Sequence, residues 1–335
     1  MVQRIRLEHG SGGALSRDLV ESLIYPALKN VFYQTLSDAT EFPGKPSMYM
    51  TTDTYVVDPV FFPGGDIGKL AVFGTCNDLA VSGAMPLFVS LGFVLEEGFL
   101  IEDLKKILRS IQDSAKEANV QILTGDTKVV PRGRGGGIFI NSTGVGERAF
   151  SGELTASRLK PGDSIVLSGA LGRHGITVLA ARESLPVPSS LQTDCTFLFP
   201  LCESLFPLGD DVRFLRDATR GGVAAVLNEA VAAAGSSGAL VYEKTLPIDV
   251  DVAATCNILG LNPLEIANEG VFLAIVAEGR GEDAVSALRS FAAGKSATII
   301  GEITKDHAGR VILETKIGGR RILDMPRGLL LPRIC

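Results

Sequence analysis

Three aspartates stand where core packing does not ask for them. Asp53 follows the strand-like run Met48–Thr52, Asp78 sits beside Asn77 inside a helical pattern, and Asp126 follows the strand-like run Val120–Leu123. Aspartate is a poor helix-interior residue, because its side chain competes for nearby backbone groups. The neighbours of Asp78 at i−4, i−3 and i+4 are Gly74, Thr75 and Ser82, a small face that lets a ligand or another backbone come close. Carboxylates at strand ends and on such a face are what a hard cation takes. Mg²⁺ uses a few of them and completes its octahedron with water and phosphate oxygens. The plain alternative is three unrelated caps and turns.

Two glycine-rich turns suit phosphate. His9-Gly10-Ser11-Gly12-Gly13 leads into a helix, and Asp217-Ala218-Thr219-Arg220-Gly221-Gly222-Val223 repeats the design with an acid and a base ahead of two glycines. Backbone N–H groups and a helix N-terminus bind anions in such turns, and Arg220 neutralises phosphate. A glycine-rich entry to a helix is also simply common. Neither turn is a P-loop or a GxGxxG fingerprint, and no full copy of either occurs elsewhere. Lys69 opens the helix that carries Asp78; it reads as a phosphate ligand or as a solvated surface lysine.

The last residue is Cys335, at the end of Leu331-Pro332-Arg333-Ile334-Cys335. Pro326 and Pro332 exclude helix, so Asp324–Cys335 is expected to be an extended arm reaching about 36 Å at ~3.3 Å per residue. The α-carboxylate beside the sulfur disfavours thiolate, so activation must come from Arg333 or from a partner's cations. Adding one residue after Cys335 is expected to abolish function by displacing the sulfur. No prenylation is expected, since that motif needs cysteine four residues from the end.

Stepping out from these residues, the apolar series Leu15, Leu19, Leu23, Ala27 and Val31 predicts a helix over Leu15–Phe32. Helices are also expected at Ile67–Ser82 and Ile101–Ala118, and strands at Phe88–Leu95 and Ile138–Val145. The pattern restarts near residue 153. A turn at Leu159–Asp163 leads into a strand at Ser164–Ser168. Helices at about 175–183, 221–234 and 281–292 then alternate with strands at about 239–242, 271–277, 297–303 and 310–314. This alternation in both halves points to two α/β-type domains.

With 335 residues the chain is long enough for two cores. Its 46% hydrophobic and 21% charged content is that of an ordinary globular protein. A net charge of −6 and the lack of tryptophan speak against nucleic acid. Cys76, Cys195, Cys202, Cys256 and Cys335 are scattered, with no CxxC pair, and read as reduced thiols of a cytoplasmic protein. The longest uncharged stretch, Leu79–Leu95, is broken by Gly83, Pro86 and Gly92, so no membrane span is expected. Residues Met1–His9 have no apolar leader region.

The set His9–Gly13, Asp53–Pro59, Phe61–Gly65, Gly74–Asp78, Gly125–Val130, Asp217–Gly222, Ala267–Gly270 and Pro332–Cys335 resembles the HypE family of hydrogenase maturation factors. That family belongs to the superfamily of aminoimidazole ribonucleotide synthetase and selenophosphate synthetase. The Asn-Asp, Gly-Asp-Thr and Asp-Ala-Thr-Arg-Gly-Gly motifs are shared across the superfamily. Phe-Phe-Pro-Gly-Gly and the terminal Pro-Arg-Ile-Cys are specific to HypE. The Arg132–Gly137 segment reads as a variable loop.

The resemblance implies a two-domain fold of mixed α+β and α/β character. Residues 1–153 would form an ATP-binding and dimerisation domain with a β-barrel-like interface in a homodimer. Residues 154–323 would form a domain with a mixed sheet and helices, and 324–335 a flexible tail. It further implies ATP-dependent dehydration of a carbamoyl group on Cys335 to a thiocyanate, the source of the cyanide ligand of hydrogenase iron. The partners implied are the carbamoyltransferase HypF and a HypC–HypD complex as cyanide acceptor. Asp53, Asp78 and Asp126 would hold Mg²⁺. Gly12, Gly13, Lys69, Asn77, Arg220, Gly221 and Gly222 would hold ATP. Lys128 would stabilise developing charge, Glu269 would be the base for the nitrogen protons, and His9 a polar contact. His174 is expected to be structural or an interdomain contact, and His307 solvated. The alternatives are another ATP-dependent enzyme of the superfamily, or a nucleotide-regulated scaffold with a docking tail. A selenophosphate synthetase would carry a reactive cysteine in the first glycine loop, where His9–Gly13 has none.

Overall fold

The computed structural model describes residues 4–6, 19–29, 44 and 47–326. His9, Gly12, Gly13, Cys335 and most of the arm lie outside them, as does much of the expected Leu15–Phe32 helix. The described residues fall into two compact units. One holds the residues up to Leu79 with Ala84–Arg148, and the other holds Ala80–Gly83 and the chain from Ala149 onward.

The first unit begins with a π-helical turn at Val20–Ile24 and a short helix, α1 (Tyr25–Leu28). Then come β1 (Met48–Tyr55), β2 (Phe61–Phe62), β3 (Gly65–Asp66), α2 (Ile67–Val81), β4 (Ala84–Glu96), α3 (Ile101–Glu117), β5 (Gln121–Val130) and β6 (Ile138–Arg148). The main sheet has the order β1-β6-β4-β5, antiparallel except for the parallel pair β4–β5. Parallel neighbours need a crossover, and α3 supplies it.

Asp66 starts α2 by accepting the N–H groups of Gly68 (2.7 Å) and Lys69 (3.1 Å) on Oδ1. Helix α2 is apolar on nearly every side, with Ile67, Leu70, Val72, Phe73 and Cys76 fully buried, because it is packed from two directions. At Gly68 a Cβ would meet the Ile107 carbonyl oxygen of α3 at 2.7 Å, and at Gly144 of β6 it would meet Thr75 Cγ2 at 2.8 Å. A glycine of α2 itself against α3, and a glycine of β6 against α2, therefore let the helix lie close to both. Helix α3 is amphipathic, with Ile101, Leu104, Ile107, Leu108, Ile111 and Ala115 inward.

The second unit is built on a seven-stranded mixed sheet. Its elements are β7 (Ser164–Leu167), α4 (Arg173–Glu183), α5 (Phe199–Leu205), β8 (Val212–Asp217), α6 (Gly222–Ala234), β9 (Gly238–Tyr242), α7 (Val250–Leu259), β10 (Phe272–Val276), α8 (Gly281–Arg289), β11 (Thr298–Thr304), β12 (Val311–Glu314) and β13 (Arg320–Ile322). The order is β13-β12-β9-β11-β7-β10-β8, with β12–β9 the parallel pair. The core joins Ile165, Leu167, Val223, Leu227, Val231, Val241, Leu273 and Ile275. A smaller cluster gathers Ile176, Leu191, Val252, Cys256 and Ile266.

Three expectations need correction. Asp53 lies inside β1, not beyond its end, because the pairing with β6 continues to Tyr55↔Ile140. Asp126 likewise lies in the middle of β5. Gly125 does not end the strand, since its missing side chain lets β4 approach: a Cβ there would meet Leu91 O at 2.7 Å. Pro86, named above as a break in the Leu79–Leu95 stretch, does not break the strand but lies within β4 at a register shift between Pro86 and Phe88. Helices α5 and α7 were not foreseen. In α7 the apolar Val250 and Ile258 are each 83% exposed, so the apolar pattern does not mark its buried face.

Cys76, Cys195, Cys202 and Cys256 are buried. Burial pushes the Cys76 thiol up to about 12 and the Cys256 thiol up to about 11.

Candidate active site

Alternation along β1 turns Thr51, Asp53 and Tyr55 toward α2 and leaves Thr52 and Thr54 exposed on the other side. The Thr51 hydroxyl donates to Asp78 Oδ2 at 2.9 Å. The Tyr55 hydroxyl donates to Asp53 Oδ2 at 3.2 Å and lies 3.3 Å from Thr75 Oγ1. Two hydroxyl-bonded sets, Thr51–Asp78 and Asp53–Tyr55–Thr75, thus join β1 to α2 with one carboxylate in each, and Asn77 next to Asp78 is buried. The room at Gly74 is taken by Tyr55, whose hydroxyl would be 2.3 Å from a Cβ at that position. The small face around Asp78 therefore receives a side chain of this same chain. Its period-two spacing from Asp53 was the sequence signal for Tyr55, and likewise for Thr51.

Asp126 stands apart from this pair. The register runs Asp53↔Ser142, Ser142↔Leu91 and Leu91↔Gly125 along one row, and Thr54↔Asn141, Asn141↔Gly92 and Gly92↔Asp126 along the next. Directly paired residues share a face and successive ones alternate. Asp126 therefore shares the face of exposed Thr54 and Asn141, opposite to Asp53 and to buried Ser142 and Leu91. Its carboxylate accepts Lys128 Nζ (3.0 Å) and the Thr127 N–H (2.8 Å). The Lys128 hydrogen bond, more than the backbone one, holds it below the usual carboxylate range. Among the described residues no three His, Cys, Asp or Glu side chains come together as a metal-holding group. Within one chain Asp53 and Asp78 each take part in a hydroxyl contact between β1 and α2, and Asp126 lies on the other face of the sheet.

Lys69 is nine residues before Asp78 on α2, about 13 Å along the axis at ~1.5 Å per residue. Its Nζ is 3.4 Å from Gly64 O and 5.7 Å from the Phe73 ring centroid.

In the second unit Arg220 is exposed, and Gly221 and Gly222 take positive φ (77° and 58°) at the start of α6. A Cβ on Gly222 would lie 2.6 Å from the carbonyl oxygens of Leu264 and Ile266, so this turn packs directly on the 262–270 segment. Asn268 ties the two together. Its Nδ2 donates to Ala218 O (2.9 Å) and Ile266 O (3.1 Å), its Oδ1 accepts the Gly172 N–H (2.7 Å), and its own N–H reaches Ala218 O (3.0 Å). Glu269 is 5% exposed, and its N–H donates to Asp194 Oδ1 at 3.2 Å. Asp194 was missed at the sequence level. It lies in an unpatterned polar run, and nothing local marks it.

His174 is fully buried on α4 with Nδ1 2.7 Å from Thr193 Oγ1, and burial drives its pKa down to about 3, so it is neutral. His307 is exposed in a turn.

Residues 37–148 match the family "AIR synthase related protein, N-terminal domain", and residues 160–314 match its C-terminal domain. Carbamoyl dehydratase HypE of Escherichia coli (strain K12) is 42% identical over 340 residues, covering 100% of both chains. The chain belongs to the HypE family of carbamoyl dehydratases, proteins of hydrogenase maturation. A crystal structure of the hydrogenase maturation protein HypE in complex with ATP superposes with a TM-score of 0.94 at 41% identity, covering 99% of this chain and 100% of that one. A HypE chain from a HypE–HypF complex superposes with a TM-score of 0.80 at 42% identity, covering 94% of this chain and 100% of that one. The two-domain fold of mixed α and β content is thus that of the HypE family. Among the described residues, no helix is long and apolar enough to cross a membrane.

Proposed function

We propose that this protein uses ATP to dehydrate a carbamoyl group on the Cys335 sulfur to a thiocyanate, supplying cyanide for nickel–iron hydrogenase maturation in the cytoplasm. The observation that carries this reading is end-to-end likeness to carbamoyl dehydratases, one of them solved with ATP bound. An amide oxygen is a poor leaving group. Moving the γ-phosphoryl group of ATP onto it makes it phosphate. The nitrogen then gives up its two protons, the C–O bond breaks with its electrons going to phosphate, and a carbon–nitrogen triple bond forms. The products are the thiocyanate, ADP and phosphate. The protein's part is positioning and charge stabilisation.

Arg220 and the Gly221-Gly222 turn are suited to phosphate, with Lys69, Asn77, Gly12 and Gly13 completing the nucleotide set. Glu269 receives nitrogen protons, Lys128 steadies negative charge on the departing oxygen, and His9 is a polar contact. Asp53 and Asp78, hard oxygen donors that each take a hydroxyl contact between β1 and α2, fit Mg²⁺. When bound, the ion neutralises phosphate charge. Asp126 and Lys128 lie across the sheet, so we assign them to the nucleotide site of a second copy. That assignment supports a homodimer sharing the open sheet face in a barrel-like interface. HypF, seen with a HypE relative, is the proposed carbamoyl donor, and a HypC–HypD complex the cyanide acceptor.

The test is intact-mass analysis after incubation with HypF, carbamoyl phosphate and ATP. A carbamoyl adduct mapping to Cys335, followed by ATP-dependent loss of one water, is the expected result. Truncation of Cys335 should leave ATP binding intact and remove both mass changes. An adduct elsewhere, or no water loss, overturns the reading.

A further inference from the structure

The Thr193–Cys195 segment has no part in the machinery above, yet it is built against it. Asp194 meets the Glu269-Gly270 peptide at two points, one a hydrogen bond and one a close packing contact. Its Oδ1 takes the Glu269 N–H at 3.2 Å, and its main-chain oxygen lies so near Gly270 that a Cβ there would approach within 1.8 Å. Only glycine permits that approach. The segment is fastened at its other end as well. The Thr193 hydroxyl accepts the Cys195 N–H at 3.1 Å and meets buried His174 Nδ1 at 2.7 Å. Helix α4, which carries His174, is tied back at Gly172 to Asn268 Oδ1. Three stretches remote in sequence, 172–174, 193–195 and 268–270, therefore form a closed ring of polar contacts with Glu269 on its rim.

Asp194 Oδ2 is buried and has no hydrogen-bond partner. Burial raises the carboxyl to about 6, opposed first by the hydrogen bond from the Glu269 N–H and last by the charge of Arg173.

We propose that Asp194 is a positioning residue for Glu269, its carboxyl fixing the Glu269-Gly270 peptide so that the Glu269 side chain is aimed at the nitrogen protons. The inference rests on the reading of Glu269 as the base. The Asp194 carboxyl acts through the Glu269 backbone and does not touch the substrate. Removing it lets the peptide rotate, and a base displaced by a fraction of its reach loses rate while nucleotide affinity stays unchanged.

The experiment uses the full chain, loaded with carbamoyl by HypF, and follows single-turnover ATP-dependent water loss by mass. Wild type, Asp194→Asn, Asp194→Ala and Glu269→Gln are compared. Asn keeps an oxygen for the Glu269 N–H, whereas Ala does not. Asp194→Ala should slow dehydration about tenfold or more, with half-saturating ATP and carbamoyl loading within about twofold of wild type. Asp194→Asn should restore most of the rate. The inference is overturned if Asp194→Ala dehydrates at the wild-type rate, if Asp194→Asn is as slow as Asp194→Ala, or if Asp194→Ala loses loading and ATP saturation together with rate. Glu269→Gln separates the two layers. Full activity in that variant sinks the base and this inference with it, whereas an inactive Glu269→Gln beside a fully active Asp194→Ala sinks only the role of Asp194.

Discussion

Gly74 and Tyr55 are fitted to each other: a Cβ on Gly74 would stand 2.3 Å from the tyrosine hydroxyl, the same oxygen that donates to Asp53. The shape of α2 and the setting of a candidate metal carboxylate therefore depend on one missing methyl group. Gly74→Ala should destabilise the protein by about 1–3 kcal/mol through overpacking, despite the better helix propensity of alanine. Adding Tyr55→Phe removes the clashing oxygen and should recover much of that loss. A double-mutant cycle by denaturant unfolding checks this. Strict additivity of the two changes would show that the contact is not the cause.

Lys128 and Asp126 allow function and stability to be separated. Their side chains are 67% and 70% exposed, so the ion pair contributes at most about 1 kcal/mol. Lys128→Ala should leave the melting temperature nearly unchanged while slowing dehydration about a hundredfold, the scale of a lost charge stabiliser. Melting curves and single-turnover rates on the same preparation decide it. A parallel loss of both would make Lys128 structural.

Asp194 predicts a pH signature in stability. Its folded carboxyl is raised to about 6 from an ordinary value near 3.8, so the folded state favours the proton. The stabilising contribution is complete below the unfolded value and is lost as pH rises through about 6. Asp194→Asn removes the titration. Relative to wild type, the variant should gain stability from pH 4 to pH 7, up to about 3 kcal/mol, and then level off. Unfolding free energies at pH 4, 5, 6 and 7 test this, and a flat difference across the series would refute it.

The parts of the site most legible in the sequence were those governed by local rules. Asp78 in a helix, the inward stripe of α3 and the Gly221-Gly222 start of α6 follow from spacing and from the conformational freedom of glycine. Asp126 was placed at a strand end because Gly125-Asp126 reads as a turn. It lies mid-strand because β4 uses the glycine for close approach, and a partner strand is not visible in local sequence. The two-face separation of Asp53 from Asp126 depends on register across four strands, which no single segment encodes. Asp194 is 75 residues from Glu269 in the chain, and its burial is wholly a product of tertiary structure. Similarly, α7 shows no stripe because Val250 and Ile258 face outward.

If a thiol of this protein carries the carbamoyl group as proposed, the buried cysteines bear on how modification at the wrong place is avoided. Cys76, Cys195, Cys202 and Cys256 are each at most 3% exposed, and at neutral pH the raised thiols of Cys76 and Cys256 are almost wholly protonated. An electrophile arriving in solution finds no access at these four positions, and no thiolate at Cys76 or Cys256. Selectivity for a particular sulfur then requires no exceptional reactivity in that sulfur, only that its competitors be hidden. Under the function proposed above, a sluggish carrier thiol can be the right one by default.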